Sequence, residues 1–165
     1  ASPVSLDHQN VGGFLYKLLS IYAEQNKLGQ VVLAPYVMRM RDIARGREPD
    51  LIFVQADRVH LLTRHYLDGA ADLAVEVISP ESVRRDRKIK FKEYESAGVG
   101  EYWLIEPRRK KAVFYQLDGN GRYQEVKPKS DGIYRSSAVD GFWLQVDWLW
   151  HPPTVLEALR QLQVA

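Results

Sequence analysis

Two short apolar runs that each carry a carboxylate are prominent in the hydrophobic pattern of the chain. They are PDLIFV at 49–54 and DLAVEVIS at 72–79. Both runs are nearly continuously apolar, which is typical of strands that are covered on both faces of a sheet. Because alternate residues of a strand share a face, Asp72, Ala74 and Glu76 are predicted to point the same way.

The remaining pattern predicts a chain of alternating helices and strands. Helical spacing of apolar residues predicts a first helix at about 8–26, and a second helix at 84–97 is expected to end at Gly98. The segment 30–40 has a strand-like pattern, in which Pro35 indicates an edge strand or a bulge. Further strands are predicted at 101–106, 111–117, 122–126 and 142–148, and a last helix at 152–162.

This order of elements predicts an α/β fold in which helices flank a mixed central β-sheet. We expect one domain over residues 1–165, a length that can bury a proper core. Hydrophobic residues make up 45% and charged residues 27% of the chain, which is an ordinary globular composition. No apolar run reaches about 18 residues, so neither a transmembrane helix nor a membrane partner is expected.

The chain contains no cysteine. Disulfides, thiolate metal sites and cysteine nucleophiles are therefore excluded. This composition is compatible with a reducing environment, and we expect a cytoplasmic location.

Basic residues are concentrated in the predicted second helix. The formal net charge of +2 is too small to indicate nucleic acid binding by itself. The run RRDRKIKFK at 84–92, however, carries six basic residues and one acid. A solvated helix face is the simpler interpretation of such a run. The alternative is that its basic residues follow a phosphate backbone; these are Arg84, Arg85, Arg87, Lys88 and Lys92.

Asp50 and Glu76 form a candidate metal site. If their strands are neighbours, the two carboxylates converge, and a divalent cation such as Mg²⁺ or Mn²⁺ relieves their repulsion. Each acid also has a structural interpretation. Asp50 can be a turn or capping residue, and Glu76 can form a buried ion pair with Lys90. Asp72 is expected to be a strand-start residue.

The second helix adds a lysine to this site. Asp86, Lys90 and Tyr94 are spaced i, i+4 and i+8, so they share one helix face. An ammonium group near a metal can orient the attacking water or neutralise charge that develops on a phosphate. Asp86 can instead support Lys90 by a simple i, i+4 contact, and Tyr94 can be a packing residue. His8 is either a metal ligand or base, or a surface or capping residue.

At these positions the sequence resembles a large bacterial family of restriction-endonuclease-like proteins in the PD-(D/E)xK nuclease superfamily. The matching stretches are PD at 49–50, DLAVEVISPES at 72–82, the D-x-x-x-K-x-x-x-Y pattern from Asp86 to Tyr94, and GVGEYWLIEP at 98–107. Ser2, Pro3 and His8 match the lead-in to the first helix of the family. The resemblance extends from about residue 2 to residue 150.

The resemblance implies a restriction-endonuclease-like core, Mg²⁺ held by Asp50 and Glu76, and hydrolysis of DNA phosphodiester bonds. The usual superfamily motif places its lysine two residues after the glutamate, where this chain has Ile78. The family resemblance assigns that role to Lys90, with Lys88 as the fallback. Family members also begin with a further segment that contains an acidic residue, and we expect that segment to be missing ahead of Ala1.

The sequence therefore predicts a metal-dependent DNA endonuclease with the catalytic residues Asp50, Glu76 and Lys90. Asp86, Tyr94 and His8 are the expected supporting residues. A catalytically inactive module that keeps the fold and binds nucleic acid or a protein partner is the alternative. A homodimer is also expected, since its two-fold symmetry would match duplex DNA and the hairpin at 101–117 carries aromatics that are expected to be exposed.

Overall fold

The computed structural model describes residues 4–41, 43–44 and 46–164. Ser2 and Pro3, which carry part of the family resemblance, lie outside the described residues. The helices are α1 (Leu6–Gln25), α2 (Arg84–Ala97) and α3 (Val155–Gln161), with 3-10 helices at Ala56–Leu61 and Val146–Leu149. The strands are β1 (Gly29–Leu33), β2 (Val37–Arg39), β3 (Leu51–Gln55), β4 (Tyr66–Asp68), β5 (Leu73–Val77), β6 (Glu101–Glu106), β7 (Lys111–Leu117), β8 (Tyr123–Glu125), β9 (Ile133–Arg135) and β10 (Trp143–Gln145).

Six strands form the central sheet, in the order β1-β3-β5-β6-β7-β8. β5 and β6 run parallel to each other, whereas the other neighbouring pairs of this sheet run antiparallel. A parallel pair requires a crossover connection, and α2 provides it. The predicted mixed central sheet with flanking helices is therefore confirmed.

Both faces of the central sheet are covered, which explains why its strands are nearly continuously apolar. On one face, strand residues such as Val75 pack with residues of α1 and α3, among them Leu18. On the opposite face, Ala74 packs in a second cluster with Tyr94 of α2. All five residues of β5 are buried, so Glu76 is carried into the interior on the α2 face.

The prediction of one strand over 30–40 is wrong, because this segment forms β1 and β2 in two different sheets. The interruption includes Pro35, whose ring removes the backbone donor that a continuous ladder requires. β1 does take the expected edge position and pairs with β3. β2 pairs in parallel with β4, a strand that the sequence pattern did not predict.

The structure of the C-terminal segment also differs from the one that its hydrophobic pattern predicted. Alternation over 142–148 predicted a long strand, but β10 is short and the chain continues as the 3-10 helix Val146–Leu149. β10 pairs with β9, a second strand that was not predicted. The strands that the sequence did not predict, β4 and β9, have three residues each, which is too short to show a recognisable period of hydrophobicity.

The β6–β7 hairpin forms as predicted, but the expectation that its aromatic side chains are exposed is wrong. Tyr102, Trp103 and Phe114 are at most 1% exposed, and Tyr115 is half-buried. These rings fill the two sides of the sheet, so they do not form the surface on which the expected homodimer was based.

The start of α1 and the end of α2 are both capped, and α2 ends at the predicted glycine. Ser5 caps α1, because its side chain accepts a hydrogen bond from the backbone N–H of His8 at 3.1 Å. α2 ends at Gly98, whose φ of 85° lies in the left-handed region that favours glycine. Among the described residues, no helix is both long enough and apolar enough to cross a bilayer.

Glu101 connects the central sheet to the segment that follows β9. Its side chain is fully buried and accepts hydrogen bonds from the indole of Trp103 at 2.7 Å and from the phenol of Tyr134. It also accepts from the hydroxyl of Ser136 at 2.7 Å and from the backbone N–H of Ala138 at 2.8 Å. The carboxylate thus satisfies several donors that water cannot reach.

We expect Glu101→Ala to lower the free energy of unfolding by about 3 kcal/mol or more, because several buried donors lose their acceptor. Urea denaturation followed by circular dichroism measures this loss. Glu125→Ala, which truncates an exposed glutamate of β8, is the matched control and should stay within about 0.5 kcal/mol of the wild type. Equal losses in the two variants would contradict the structural role of Glu101.

Candidate functional site

Asp50 and Glu76 come from neighbouring strands of the central sheet. β3 and β5 run antiparallel, with Leu51 opposite Val75. One more pair in this register sets Asp50, immediately before β3, opposite Glu76 near the end of β5. The strand neighbourhood on which the expected convergence depended is therefore present.

Asp50 is held by two hydrogen bonds. The Nε2 atom of His8 lies 3.1 Å from its Oδ1 atom, and the backbone N–H of Val77 donates to its Oδ2 atom at 2.7 Å. An ionised carboxylate only accepts hydrogen bonds, so the imidazole nitrogen is the donor. These contacts fix Asp50 between the first turn of α1 and the end of β5.

Glu76 accepts hydrogen bonds from two side chains of α2. Only 6% of the residue is exposed. The Nζ atom of Lys90 lies 3.1 Å from its Oε2 atom, and the hydroxyl of Tyr94 donates to its Oε1 atom at 3.1 Å. Lys90 and Tyr94 lie on successive turns of the helix, and the crossover from β5 to β6 directs that helix face toward Glu76. Both carboxylate oxygens therefore have a donor.

Burial determines the electrostatics of this cluster. It raises the pKa of Glu76 above its ordinary value, and the nearby Asp50 adds to the increase, whereas Lys90 and Tyr94 oppose it. Burial alone would lower the pKa of Lys90, but Glu76 and Asp86 outweigh it and raise that pKa. Burial, followed by the charge of Glu76, raises the pKa of Tyr94. Lys90 is thus an ammonium group and Tyr94 a neutral hydrogen-bond donor at neutral pH.

A second layer of charges supports Lys90. The Oδ2 atom of Asp86 lies 3.6 Å from the Nζ atom of Lys90, and the guanidinium of Arg47 lies 3.9 Å from the other oxygen of Asp86. Arg47 also donates to both carboxylate oxygens of Glu93, at 2.7 and 3.0 Å. Sequence reasoning missed Arg47 and Glu93, because no local spacing distinguishes Arg47 from the other arginines near it.

His8, Glu76 and Lys90 line an open cleft of about 610 Å³, which we call the carboxylate cleft. The first turn of α1, the end of β5 and one flank of α2 form its walls. Its lining includes His8, Glu76, Ser79, Lys90 and Arg108. A substrate that enters this cleft therefore meets the carboxylate of Glu76 and the ammonium of Lys90 on the same side.

The donor set of the cleft fits a hard divalent cation. Asp50 and Glu76 offer carboxylate oxygens from opposed positions, and their mutual repulsion contributes to the raised pKa of Glu76. Oxygen ligands of this kind suit Mg²⁺ or Mn²⁺. Among the described residues, no group of three or more His, Cys, Asp or Glu side chains could hold a metal. The described carboxylate residues that line the cleft are Asp7, Glu76 and Glu81, and Asp50 adjoins it through its contacts with His8 and Val77.

The predicted nucleic-acid contacts of α2 do not line the carboxylate cleft. Arg84, Lys88 and Lys92 line a separate groove on the other flank of the helix, together with Arg87. Arg85 is exposed and lines neither the cleft nor this groove. Four of the five predicted contacts therefore share one groove, and Arg85 lies outside it.

Asp72 and the other histidines have separate surroundings. Asp72 accepts hydrogen bonds from the guanidinium of Arg58 at 2.9 Å and from the backbone N–H of Gln55 at 2.8 Å, as expected of a strand-start residue. His151 lies 3.1 Å from Asp147 on the surface. His8 is the one histidine that lines the carboxylate cleft in the part of the chain that the structure describes.

Comparison with known proteins identifies the family. A family model described as "Uma2: Putative restriction endonuclease" matches residues 1–147. The chain has no significant match among curated proteins. Among solved structures, "a putative nuclease belonging to DUF820" from Anabaena variabilis superposes with a TM-score of 0.75 and 14% sequence identity, over 92% of this chain and 83% of that chain.

At this low identity, the structural likeness shows a shared fold. The family match is the stronger finding, since it covers most of the sequence and includes Asp50, Glu76 and Lys90. The chain belongs to the Uma2 family of putative restriction endonucleases.

Proposed function

We propose that the protein is a metal-dependent endonuclease that hydrolyses DNA phosphodiester bonds. Family membership supports a nuclease function in general. The observation that carries the specific proposal is that Asp50 lies opposite Glu76 in the register of β3 and β5, with Lys90 at 3.1 Å from Glu76. Because function depends on the site rather than on the fold, the proposal rests on these side chains.

Asp50 and Glu76 are the proposed ligands of Mg²⁺ or Mn²⁺. When bound, such an ion lowers the pKa of a coordinated water and polarises a phosphoryl oxygen. Asp50 is well suited to this role because His8 and Val77 fix its orientation. Glu76 is well suited because its burial leaves an ionised carboxylate poorly solvated, so a cation is a favourable partner.

Lys90 supplies positive charge rather than a base. Glu76 and Asp86 raise its pKa, so the side chain stays protonated and donates hydrogen bonds. It can orient the attacking water and stabilise the charge that builds up on the phosphate oxygens during displacement. Lys88, the fallback, lines the groove on the opposite flank of α2, which favours Lys90.

Three further residues are proposed as positioning residues. Tyr94 orients one oxygen of Glu76, Asp86 keeps the ammonium of Lys90 near the cleft, and His8 orients Asp50. Tyr94 and His8 thus fix the direction of a proposed metal ligand, and the loss of such partners typically weakens metal affinity or activity by about 10–100-fold.

A non-catalytic module with the same fold is the competing hypothesis. The Glu76–Lys90 ion pair favours it, because the two groups satisfy each other without any ligand. In that case Asp50, Glu76 and Lys90 stabilise the fold, and the cleft binds no metal. Metal affinity and the response of stability to mutation separate the two hypotheses.

We expect Glu76→Gln and Lys90→Met each to reduce Mg²⁺-dependent cleavage by at least about 100-fold. The first change removes the charge of a proposed metal ligand, and the second removes the ammonium that acts on the reacting phosphate. Cleavage of plasmid and single-stranded DNA, with Mg²⁺ or Mn²⁺, is the measurement. Lys127→Met changes an exposed lysine outside the cleft and should cleave like the wild type. Cleavage that persists in both site variants would point to another site or a contaminant.

We expect His8→Ala to weaken Mn²⁺ binding by about 10-fold or more, because Asp50 loses the donor that orients it. Isothermal titration calorimetry measures this affinity. His151→Ala is the matched control, since His151 also lies 3.1 Å from an aspartate but on the surface. Equal affinities in the two variants would contradict the role of His8, and wild-type affinity weaker than about 1 mM would favour the non-catalytic module.

The raised pKa of Glu76 predicts how the folding stability of the protein depends on pH. The prediction applies in EDTA, which removes divalent cations. A carboxyl group whose folded-state pKa is raised stabilises the fold while it is protonated, and this contribution is lost as pH rises. Wild-type stability should therefore fall, relative to Glu76→Gln, as pH increases above the ordinary glutamate value of 4.5.

Urea denaturation at several pH values between about 4.5 and 8 measures this difference. Glu125→Gln, at an exposed position, should show no such trend relative to the wild type. A loss of about 3–5 kcal/mol in Glu76→Gln at neutral pH would instead indicate a structural ion pair with Lys90.

A further inference from the structure

A second cleft, which we call the basic groove, lies on the other flank of α2. It has a volume of about 730 Å³. α2 forms one wall and the start of the β6–β7 hairpin forms the other. Its basic residues are Arg84, Arg87, Lys88, Lys92, Arg109 and Lys111, and its one acid is Glu106. α2 therefore separates this groove from the carboxylate cleft.

The positive charge of the basic groove is only partly balanced from within the protein. Glu106 accepts a hydrogen bond from Arg87 at 2.7 Å, and Arg109 lies 3.6 Å from its other oxygen. The remaining four cations make no ion pair with any described residue: Arg84, Lys88, Lys92 and Lys111. Cations that converge on one groove without carboxylate partners attract an extended polyanion.

The floor of the groove is apolar and aromatic. Phe91 of α2 packs edge-on against Tyr115 of β7, with ring centroids 4.9 Å apart. Both rings are half-buried, and Leu104 and Val113 complete the floor. Basic walls above a partly aromatic floor are the combination that proteins use for a nucleic-acid strand, where the walls contact phosphates and the floor contacts sugars and bases.

The groove also lies next to the proposed catalytic site. Arg108 and Arg109 are neighbours in the turn between β6 and β7, yet Arg108 lines the carboxylate cleft and Arg109 lines the basic groove. α2 also borders both spaces, through Lys90 on the cleft side and through Arg84, Arg87 and Lys88 on the groove side. A nucleic acid that is bound over this turn can therefore occupy the two at once.

We propose that the basic groove binds the phosphodiester backbone of the DNA substrate outside the bond that is cut. This inference rests on the proposed function for the identity of the ligand. It adds Arg109 and Lys111 to the DNA-binding surface and removes Arg85 from it. α2 then contributes residues to both spaces. Lys90 faces the reacting phosphate, and Lys88 and Lys92 bind a flanking stretch of the DNA backbone.

Fluorescence anisotropy with a labelled DNA duplex of about two helical turns tests this inference in EDTA, where cleavage plays no part. The test variant is Lys88→Gln/Lys111→Gln, because these two lysines lie on opposite walls and make no ion pair with a described residue. The control variant, Lys127→Gln/Lys129→Gln, removes the same charge from exposed positions outside the groove. Thermal unfolding checks that both variants are folded.

We expect the groove variant to bind about 10-fold more weakly than the wild type, and the slope of log affinity against log salt to fall in magnitude by about 2. The control should stay within about 3-fold, because charge away from the contact surface acts only at long range. Equal binding by the groove and control variants, or no binding by the wild type at low salt, would overturn the inference.

Cleavage assays on the same proteins distinguish this inference from the proposed function. If the wild type does not cleave DNA but the groove variant loses binding, the groove assignment stands and the nuclease proposal fails. If the wild type cleaves DNA and the groove variant binds normally, the nuclease proposal stands and the groove assignment fails.

Discussion

The buried carboxylate of Glu76 is the constraint on which the candidate site depends. β5 is covered on both faces, so this side chain leaves water and its charged form is disfavoured. A carboxylate in this position requires donors or a cation. Lys90 and Tyr94 provide donors, while Asp50 adds a second negative charge. The same burial that is costly for folding therefore prepares the site for a positively charged ligand.

The crossover helix α2 organises the chemistry on this face of the sheet. Because β5 and β6 are parallel, the chain must cross the sheet between them. One flank of the helix then faces Glu76, and the other faces the β6–β7 hairpin. Residues that are mixed together in the basic run are separated in space: Lys90 contacts the carboxylate, whereas Lys88 and Lys92 line the groove.

Short-range patterns allowed the central features to be predicted. Apolar runs indicated the buried strands, alternation placed Glu76 on one face, and the i, i+4 spacing joined Lys90 to Tyr94. The contact of Arg47 with α2 was not predictable, because nothing in the local sequence specifies it. The pairing of Arg47 with Glu93 depends on a segment that precedes β3 and meets α2 only in the folded chain.

Anomalous diffraction from crystals soaked in Mn²⁺ tests most directly whether the opposed carboxylates form a cation site. The account predicts one strong anomalous peak in contact with both Asp50 and Glu76, and its loss in crystals of Glu76→Gln. Absence of a peak at these residues, with Lys90 still bound to Glu76, would contradict the account. A peak at a different set of side chains would contradict it equally.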